Sequence, residues 1–241
     1  MHPRPRSRPP ALRLLRLITA HRRSAVSDRA LATLLAGIAG AANAGGFILL
    51  GSYTSHMTGY LSQIADNLVL QNLALVLQSM TAIALFVAGA ASSAFAINWA
   101  RQFWPKRQYA LPSGLQGGLC VSLAALGAAP LQASTAQHIG LFLLCFIMGL
   151  QNATITKISY ARIRTTHATG VITDVGIELG RALYGQSVNA AIGADRAKLR
   201  ILLQLLAVFL LGGIIGAVGY AVFGYAFSLP LAALLLGLAW I

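Results

Sequence analysis

The sequence predicts an all-α polytopic membrane protein with six transmembrane helices, arranged as two inverted three-span repeats with interrupted helices. Apolar residues make up 57% of the 241 residues and charged residues only 10%, whereas soluble domains carry about 25% charged residues. Apolar segments close to the length that crosses a bilayer recur six times. A polar motif occurs once in each half of the chain. These three observations exclude an ordinary soluble domain.

The six apolar segments define the predicted spans. They cover residues 31–51, 73–97, 113–133, 138–156, 201–224 and 227–241. A helix needs about 20 residues to cross about 30 Å of hydrocarbon. The fourth segment is slightly short and the last is shorter still, so we expect a thin local bilayer or a hydrated end to accommodate the last one.

The basic residues test this span count. All 18 lysines and arginines precede the first segment or lie in the second-to-third and fourth-to-fifth connections. The other three connections contain none. The positive-inside rule therefore predicts that both termini are cytoplasmic. The net charge of +13 is then an orientation signal, and we expect no nucleic-acid partner because the positive charges do not share a soluble face.

The domain organisation follows from the same pattern. We expect a basic cytoplasmic N-terminal extension over residues 1–30, disordered or lying on the membrane surface as an amphipathic helix. A cleaved signal peptide ending near Ala42-Asn43-Ala44 is the less favoured alternative. The membrane domain then covers residues 31–241, with repeat halves of about 31–133 and 138–241.

The internal repeat carries the polar chemistry. Residues 55–62, the first motif, and residues 166–173, the second motif, share the pattern [S/T]-H-x-T-G-x-x-[S/T]. Upstream, Gly40–Asn43 is echoed by Gly149–Asn152, and a half-polar helix is expected after each motif. Because three spans separate corresponding points, the second copy is predicted to be inverted. Inverted repeats with interrupted helices locate the central site of many transporters.

The two motifs predict a substrate site for a small polar or anionic solute near the bilayer midplane. In this hypothesis the threonines cap helices, the glycines open the backbone, and the amides and imidazoles contact the solute. The predicted site residues are Asn43, His56, Thr58, Gly59, Gln151, Asn152, His167, Thr169 and Gly170. Asp66 and Asp174 are candidates for proton coupling.

Structural explanations of the same residues stay open. The asparagines could hydrogen-bond across helix interfaces, the histidines could cap helices without a ligand, and the carboxylates could be solvated. Neither a metal site nor a cofactor is expected, because Cys120 and Cys145 lie in apolar segments without ligand spacing. No HExxH, GxSxG, P-loop or paired-carboxylate motif is present, so we do not expect an enzyme.

The paired motifs resemble those of the YoaK-like family of uncharacterised bacterial inner-membrane proteins. The resemblance covers about residues 30–241 and rests on Asn43-Ala44 before 54–59, and on 148–153 before 165–170. It implies about six spans in the bacterial inner (cytoplasmic) membrane, with no known activity. Tyr60 stands where family members usually have Asn.

The sequence therefore favours a multi-pass membrane transporter or channel whose partners are the lipid bilayer and a small solute. It leaves homo-oligomers open. The alternative is a non-transporting membrane scaffold or sensor module, which a dry and tightly packed core between the motifs would favour. A channel should instead show an open hydrated pore.

Overall fold

A computed structural model describes residues 25–104, 107–158, 168–187 and 193–240, without the side chains of residues 25–29 and 186. In that part of the chain the protein is all-α. The helices are α1 Ala25–Leu50, α2 Met57–Val69, α3 Leu73–Phe103, α4 Ala110–Leu126, α5 Ala133–Ile158, α6 Ala168–Ser187, α7 Arg196–Phe223 and α8 Ser228–Trp240. A short 3₁₀ turn, Gly224–Phe227, joins α7 to α8.

Each predicted apolar segment overlaps a helix, but only some of these helices are long enough to span a membrane. By length and composition, four segments could cross a membrane: Ala30–Leu50, Leu73–Phe103, Ala133–Ile158 and Arg196–Trp240. Helix α4 is apolar but shorter. The two half-polar helices predicted after the motifs are α2 and α6. The chain is thus a helical protein of membrane type, and helix α1 begins at Ala25, earlier than the predicted span.

The chain reverses direction between α7 and α8. Gly224 has a φ of 55°, a backbone conformation that favours glycine. The hydroxyls of Tyr220 and Ser228 are hydrogen-bonded at 3.0 Å, and the Tyr220 ring meets Phe227 edge-on. Leu231 then packs in one buried cluster with Tyr220 and the α1 residue Ala41. Helix α8 therefore runs back toward the bundle and contacts α7 and α1 near its start.

Two pairs of parallel helices form the centre of the bundle. Helix α7 packs along α1, with Gln204 beside Thr33 and Gly216 against the backbone of Ala41. Helix α3 packs along α5 in the same manner, where Ser93 is hydrogen-bonded to Thr154 at 2.8 Å. These are the most extensive helix contacts in the described structure.

Glycines allow both parallel pairs to approach closely. A Cβ atom on Gly40 would collide with the carbonyl of Phe209 in α7, and one on Gly212 with the carbonyl of Gly37 in α1. In the other pair, Gly149 faces the carbonyl of Phe86 and Gly89 that of Phe146, with the same lack of space. Small residues at such crossings are typical of helix packing in membranes.

The remaining contacts are antiparallel. Gln151 donates to the carbonyl of Leu35 at 2.8 Å, which sets α5 against α1. The Tyr109 hydroxyl donates to the carbonyl of Lys157 at 3.2 Å, which sets α4 against α5. Helix α4 also crosses α8, where Gly117 meets Leu236. The helices α1, α3, α4, α5, α7 and α8 therefore alternate in direction along the chain.

This alternation brings the basic residues of the described helices and their connections to one end of the bundle. They lie where α1 and α7 begin and where α3 and α5 end, and we call this the basic end. Its members are Arg101, Arg107, Lys157, Arg181, Arg196, Lys198 and Arg200. Trp99, Phe103 and Trp104 form an aromatic cluster at the same end of α3. Aromatic rings beside basic residues are typical of a membrane–water interface.

The outer faces of the long helices are apolar. Val87 and Phe95 on α3, and Ile215 and Val218 on α7, are 59–73% exposed. Many large exposed apolar side chains are unfavourable in water and favourable in hydrocarbon. Lipid is therefore the solvent that this surface fits.

The crossing of α3 and α5 gives the first testable prediction. Replacing Gly149→Ala places a methyl group on the Phe86 carbonyl and should lower the free energy of unfolding by about 1–3 kcal/mol. The matched control is Gly118→Ala, because a Cβ at Gly118 has open space and gains helix propensity. Thermal denaturation in detergent, followed by size exclusion, measures both. Equal melting of the Gly149 variant and the wild type would contradict the crossing.

Candidate functional site

The first motif begins in a loop that folds back into the helix bundle. Helix α1 ends at Leu50, and Gly51 reverses the chain with a φ of 67°. The backbone N–H and the hydroxyl of Ser55 then donate to Asn43 Oδ1, at 3.2 and 2.9 Å. Asn43 lies seven residues before the end of α1, about 10 Å along the helix axis. Residues 51–56, the re-entrant loop, are thus held well inside the helix end.

The re-entrant loop lies against α1 at Gly46, where the helix has no side chain. A Cβ on Gly46 would be 2.8 Å from both the Ser52 carbonyl oxygen and Thr54 Cγ2. This close approach buries Thr54 completely, and its hydroxyl has no protein partner in the described residues. A buried hydroxyl without a partner costs about 1–3 kcal/mol. The loop therefore carries a polar atom that is free to bind a solute group or a water molecule.

His56 and Gly59 form a unit within the first motif. His56 precedes α2 and is exposed, and its side chain makes no capping bond. A Cβ on Gly59 would lie 2.8 Å from His56 Nδ1, so the glycine makes room for the imidazole over the first turn of α2. Gly59 itself is helical, so the prediction that it opens the backbone is wrong; Gly51 does that.

Thr58 does not cap α2. The helix begins at Met57, so Thr58 falls within the first turn, with its side chain exposed. The capping prediction is therefore wrong for this threonine, because the helix starts before it rather than after it. Its hydroxyl is on the same accessible turn as His56.

Tyr60 fixes the start of α2 in the bundle. It is 4% exposed and packs with Ala82 of α3 and with Leu141 and Cys145 of α5. The Cys145 thiol lies 3.9 Å from the Tyr60 hydroxyl, at the limit of a sulfur hydrogen bond. The family pattern has Asn at this position, whereas the Tyr60 ring stabilises the motif by packing.

The second motif is only partly described. His167 lies outside the described residues, whereas Thr169 and Gly170 are exposed in the first turn of α6. Upstream, Gln151 is completely buried, and its Oε1 has no protein partner while its Nε2 bonds to Leu35. Asn152 follows Gln151 on α5 and is half-buried.

The described structure does not bring the two asparagines together. Leu35 lies opposite Gln151, so Asn152 is about nine residues below Asn43 along α1, a separation of about 13 Å. Ala39, Ala42 and Met148 fill the space between these levels and form one buried apolar cluster, which we call the central layer. We call Asn43 with the first motif the first half-site, and Asn152 with the second motif the second half-site. In this conformation the levels of Asn43 and Asn152 are separated by packed side chains.

Sequence reasoning missed Gln116, which lies near the level of Gln151, next to the central layer. The contacts that align α4 with α5 set Gln116 opposite Leu150. Gln116 is 1% exposed, and its Nε2 has no protein partner in the described residues. Gln116 lies inside a predicted apolar span. Because intramembrane polar residues are costly unless they pair or bind, its position in the sequence could have identified it as a candidate.

The acidic residues of the half-polar helices have different environments. Asp66 is exposed on α2, and Asp174 is half-exposed at 3.9 Å from Lys198. Glu178, a third carboxylate on these helices that the sequence leaves open as a proton carrier or a solvated group, is completely buried. It accepts from the Asp195 backbone N–H at 2.9 Å and from Lys198 at 3.3 Å. Arg181 lies 3.4 Å from the same carboxylate. These contacts bind α6 to the start of α7.

The hydrogen bond from the Asp195 N–H lowers the pKa of Glu178, and Lys198 and Arg181 act in the same direction against the loss of hydration. Glu178 is therefore a structural anion rather than a proton carrier near neutral pH. Within the described ranges, no three histidine, cysteine or acidic side chains are grouped as a metal site, and Cys120 and Cys145 are free thiols.

Comparison with known proteins identifies the family. A family model described as a protein of unknown function, DUF1275, matches residues 31–241. The chain therefore belongs to this family. No curated protein and no solved structure matched the chain.

The bond between Asn43 and Ser55 gives a second prediction. Asn43→Leu removes the acceptor for two donors, so the Ser55 amide should exchange hydrogen roughly tenfold faster or more. Asn43→Asp keeps an acceptor oxygen and should restore most of the protection. Asn67→Ala, which removes an amide on α2 bonded to its own helix, is the control. Exchange mass spectrometry that finds residues 51–56 equally protected in Asn43→Leu would refute the anchor.

Glu178 gives a third prediction, on pH. Its folded pKa is lowered, so its stabilisation of the α6–α7 contact is complete above the unfolded value of about 4.3 and is lost as the pH falls through the folded value. Protection of the Asp195 amide, corrected for intrinsic exchange rates, should therefore fall in acid. Glu178→Gln keeps an acceptor oxygen but loses the charge that pairs with Lys198 and Arg181, so protection should already be reduced at pH 7 and nearly independent of pH. Asp66→Asn should behave as the wild type.

Proposed function

We propose that this member of the DUF1275 family is a six-span carrier for a small polar or anionic solute, built from two inverted halves. The observation that carries the proposal is the re-entrant loop, whose Ser55 donates hydrogen bonds to Asn43 inside the bundle. Irregular backbone at membrane depth is tolerated only where it is buried in protein or lines a cavity. Here it presents an exposed imidazole and a buried free hydroxyl next to the first half-site.

Equivalent contacts in the two halves support the inverted arrangement. Gly40 meets the carbonyl of Phe209 as Gly149 meets that of Phe86. Gly40 and Gly149 are the equivalent glycines of the sequence repeat, and the α1–α7 pair thus corresponds to the α5–α3 pair. Because α1 and α5 are antiparallel, exchanging the halves inverts the bundle.

The helix starts follow the same equivalence. Asn72 caps α3 by accepting from the Leu75 N–H at 3.3 Å. Asp195 caps α7 by accepting from the N–H groups of Ala197 and Lys198, both at 3.0 Å. The spacing from Phe86 to Phe209 is also the spacing from Asn72 to Asp195. Helices α4 and α8 both carry Leu-Pro at their second and third positions. The narrower YoaK-like resemblance belongs to this proposal and rests on the paired motifs.

A carrier fits the central layer better than an open channel does. The layer separates the two half-sites, and its residues Ala39 and Met148 are completely buried. In a carrier this layer parts on alternate sides, so that the solute passes from one asparagine level to the other. The free amide atoms of Gln116 and Gln151 lie at the level of the second half-site, one donor and one acceptor.

Orientation and location complete the proposal. The basic end faces the cytoplasm of a bacterial inner membrane, and the first half-site opens to the opposite side. The partners are the bilayer and the solute, and the activity is transport without covalent chemistry. In the sequence, His167 precedes Gly170 by three residues, as His56 precedes Gly59.

Uptake into proteoliposomes tests this function and is our fourth prediction. A panel of small anions and neutral polar solutes is screened with the full chain. His56→Ala should then slow the initial rate of the transported solute at least about tenfold, the effect of losing about 1.4 kcal/mol of binding. His138→Ala is the matched control, because it removes a histidine at the same end that bonds only to the Ser134 carbonyl. Normal uptake by His56→Ala and His167→Ala would remove the imidazoles from the mechanism.

The packed central layer also favours the second candidate, a scaffold or sensor that does not transport. A disulfide cross-link between α1 and α5 distinguishes the two functions. Cysteines replacing Ala42 and Met148, in a chain without its native cysteines, would join α1 to α5 on oxidation. A carrier must lose uptake when locked and recover it on reduction. If no solute enters above protein-free liposomes, the scaffold is favoured.

A further inference from the structure

A deep apolar crevice lies on the side of the bundle between α1, α7 and α8. It has a volume of about 640 Å³. Gly37 and Ala41 form one wall, Val208 and Ile215 another, and Leu234 the third. The crevice runs from the middle of the bundle toward the basic end, where Ala30, Thr33 and Gln204 line it. At that end the Gln204 amide donates to the Thr33 hydroxyl at 3.3 Å.

Within the described residues, the helices that correspond to these three are packed differently. There, α4 packs directly against α5 from the Tyr109–Lys157 bond to the contact of Leu126 with Gly140. Helix α8 lies against α4 instead, and it approaches α1 only through its inward face, including Leu231 and Leu235. The two halves therefore differ at this crevice. Most of the side chains that line it are apolar, so it suits an acyl chain.

Positive charge continues the line of the crevice. Gln204 and Val208 are one turn apart on the crevice face of α7, and Arg200 and Arg196 precede them at the same four-residue spacing. Both arginines are exposed, and among the described residues neither makes an ion pair. Lys198, on another face, is instead bound to Glu178. An apolar slot thus ends beneath two guanidinium groups that have no ion pair among the described side chains.

We infer that the crevice is a binding site for an anionic phospholipid. One acyl chain lies in the apolar slot, and the phosphate lies at the basic end near Arg200 and Arg196. The Gln204 amide and the Thr33 hydroxyl supply hydrogen bonds at the ester level. Basic pockets between helices at the cytoplasmic side are a known form of lipid headgroup recognition. The charge favours an anionic headgroup over a zwitterionic one, which is what separates this site from ordinary lipid contact.

Native mass spectrometry of the full chain in detergent tests this site and gives our fifth prediction. Phosphatidylglycerol is titrated against phosphatidylcholine of the same acyl length. One phosphatidylglycerol should bind in preference, and Arg200→Gln should weaken it about fivefold. Ile215→Trp fills the slot and should weaken both lipids roughly tenfold or more. Ile215 is 62% exposed, so the larger ring does not overpack the core.

Two controls separate the site from general effects. Ile214→Trp changes the adjacent exposed residue, which does not line the crevice, and Arg107→Gln removes an exposed charge elsewhere at the basic end. Both should bind lipid as the wild type does. Equal binding of the two lipids, unchanged in Arg200→Gln, would overturn the anionic site. A dimer that Ile215→Trp dissociates would overturn it as well, because the crevice would then be an interface between copies.

Discussion

The close approach of helix backbones at glycines is the constraint on which the rest of the fold depends. In hydrocarbon, burying apolar side chains between helices gains little over leaving them in lipid, so packing at short range must hold the bundle. Gly40 and Gly212 set α1 against α7, and Gly89 and Gly149 set α3 against α5. Once these pairs are fixed, α5 must lie against α1, and α4 and α8 fill the remaining side. The depth of the re-entrant loop then follows, because Asn43 lies one turn beyond the Gly40 crossing.

Much of the fold could be predicted from the sequence because lipid imposes a simple requirement on composition. Each apolar segment became a helix, and the clustering of basic residues at one end of the bundle agrees with the distribution of charge along the chain. The last segment was predicted with fifteen residues, and its helix has thirteen, Ser228–Trp240. The parallel pairing of α1 with α7 could not be predicted, since hydropathy indicates how long a helix is and not which neighbour it has. The glycines could have indicated it only if their partners had been known.

The geometry of the candidate site could not be predicted from the sequence. The sequence repeat pointed to Asn43 and to the motif after it, whereas the hydrogen bonds join Asn43 to Ser55, which was not among the predicted site residues. Spacing along the chain cannot show that a loop turns back by about 10 Å, because that depends on Gly51 and on the bare surface at Gly46. For the same reason Gly59 was predicted to open the backbone, whereas in the structure it is helical and leaves room for the His56 imidazole. Glu178 resembled its solvated neighbours in sequence and differs from them only through the tertiary contact with Asp195.

The pairing of helices has a consequence for how the protein is made. The partner of α1 is α7, and the partner of α3 is α5, so both of the most extensive contacts join one half of the chain to the other. A nascent chain that has released only its first three long helices therefore has its crossing glycines facing lipid, with nothing yet to meet them. Assembly has to wait for the second half to be synthesised, and neither half is a self-sufficient folding unit. Two fragments divided between α4 and α5 should reassemble when they are produced together, since what holds them is the interlocked backbone contact and not the short connection of the chain.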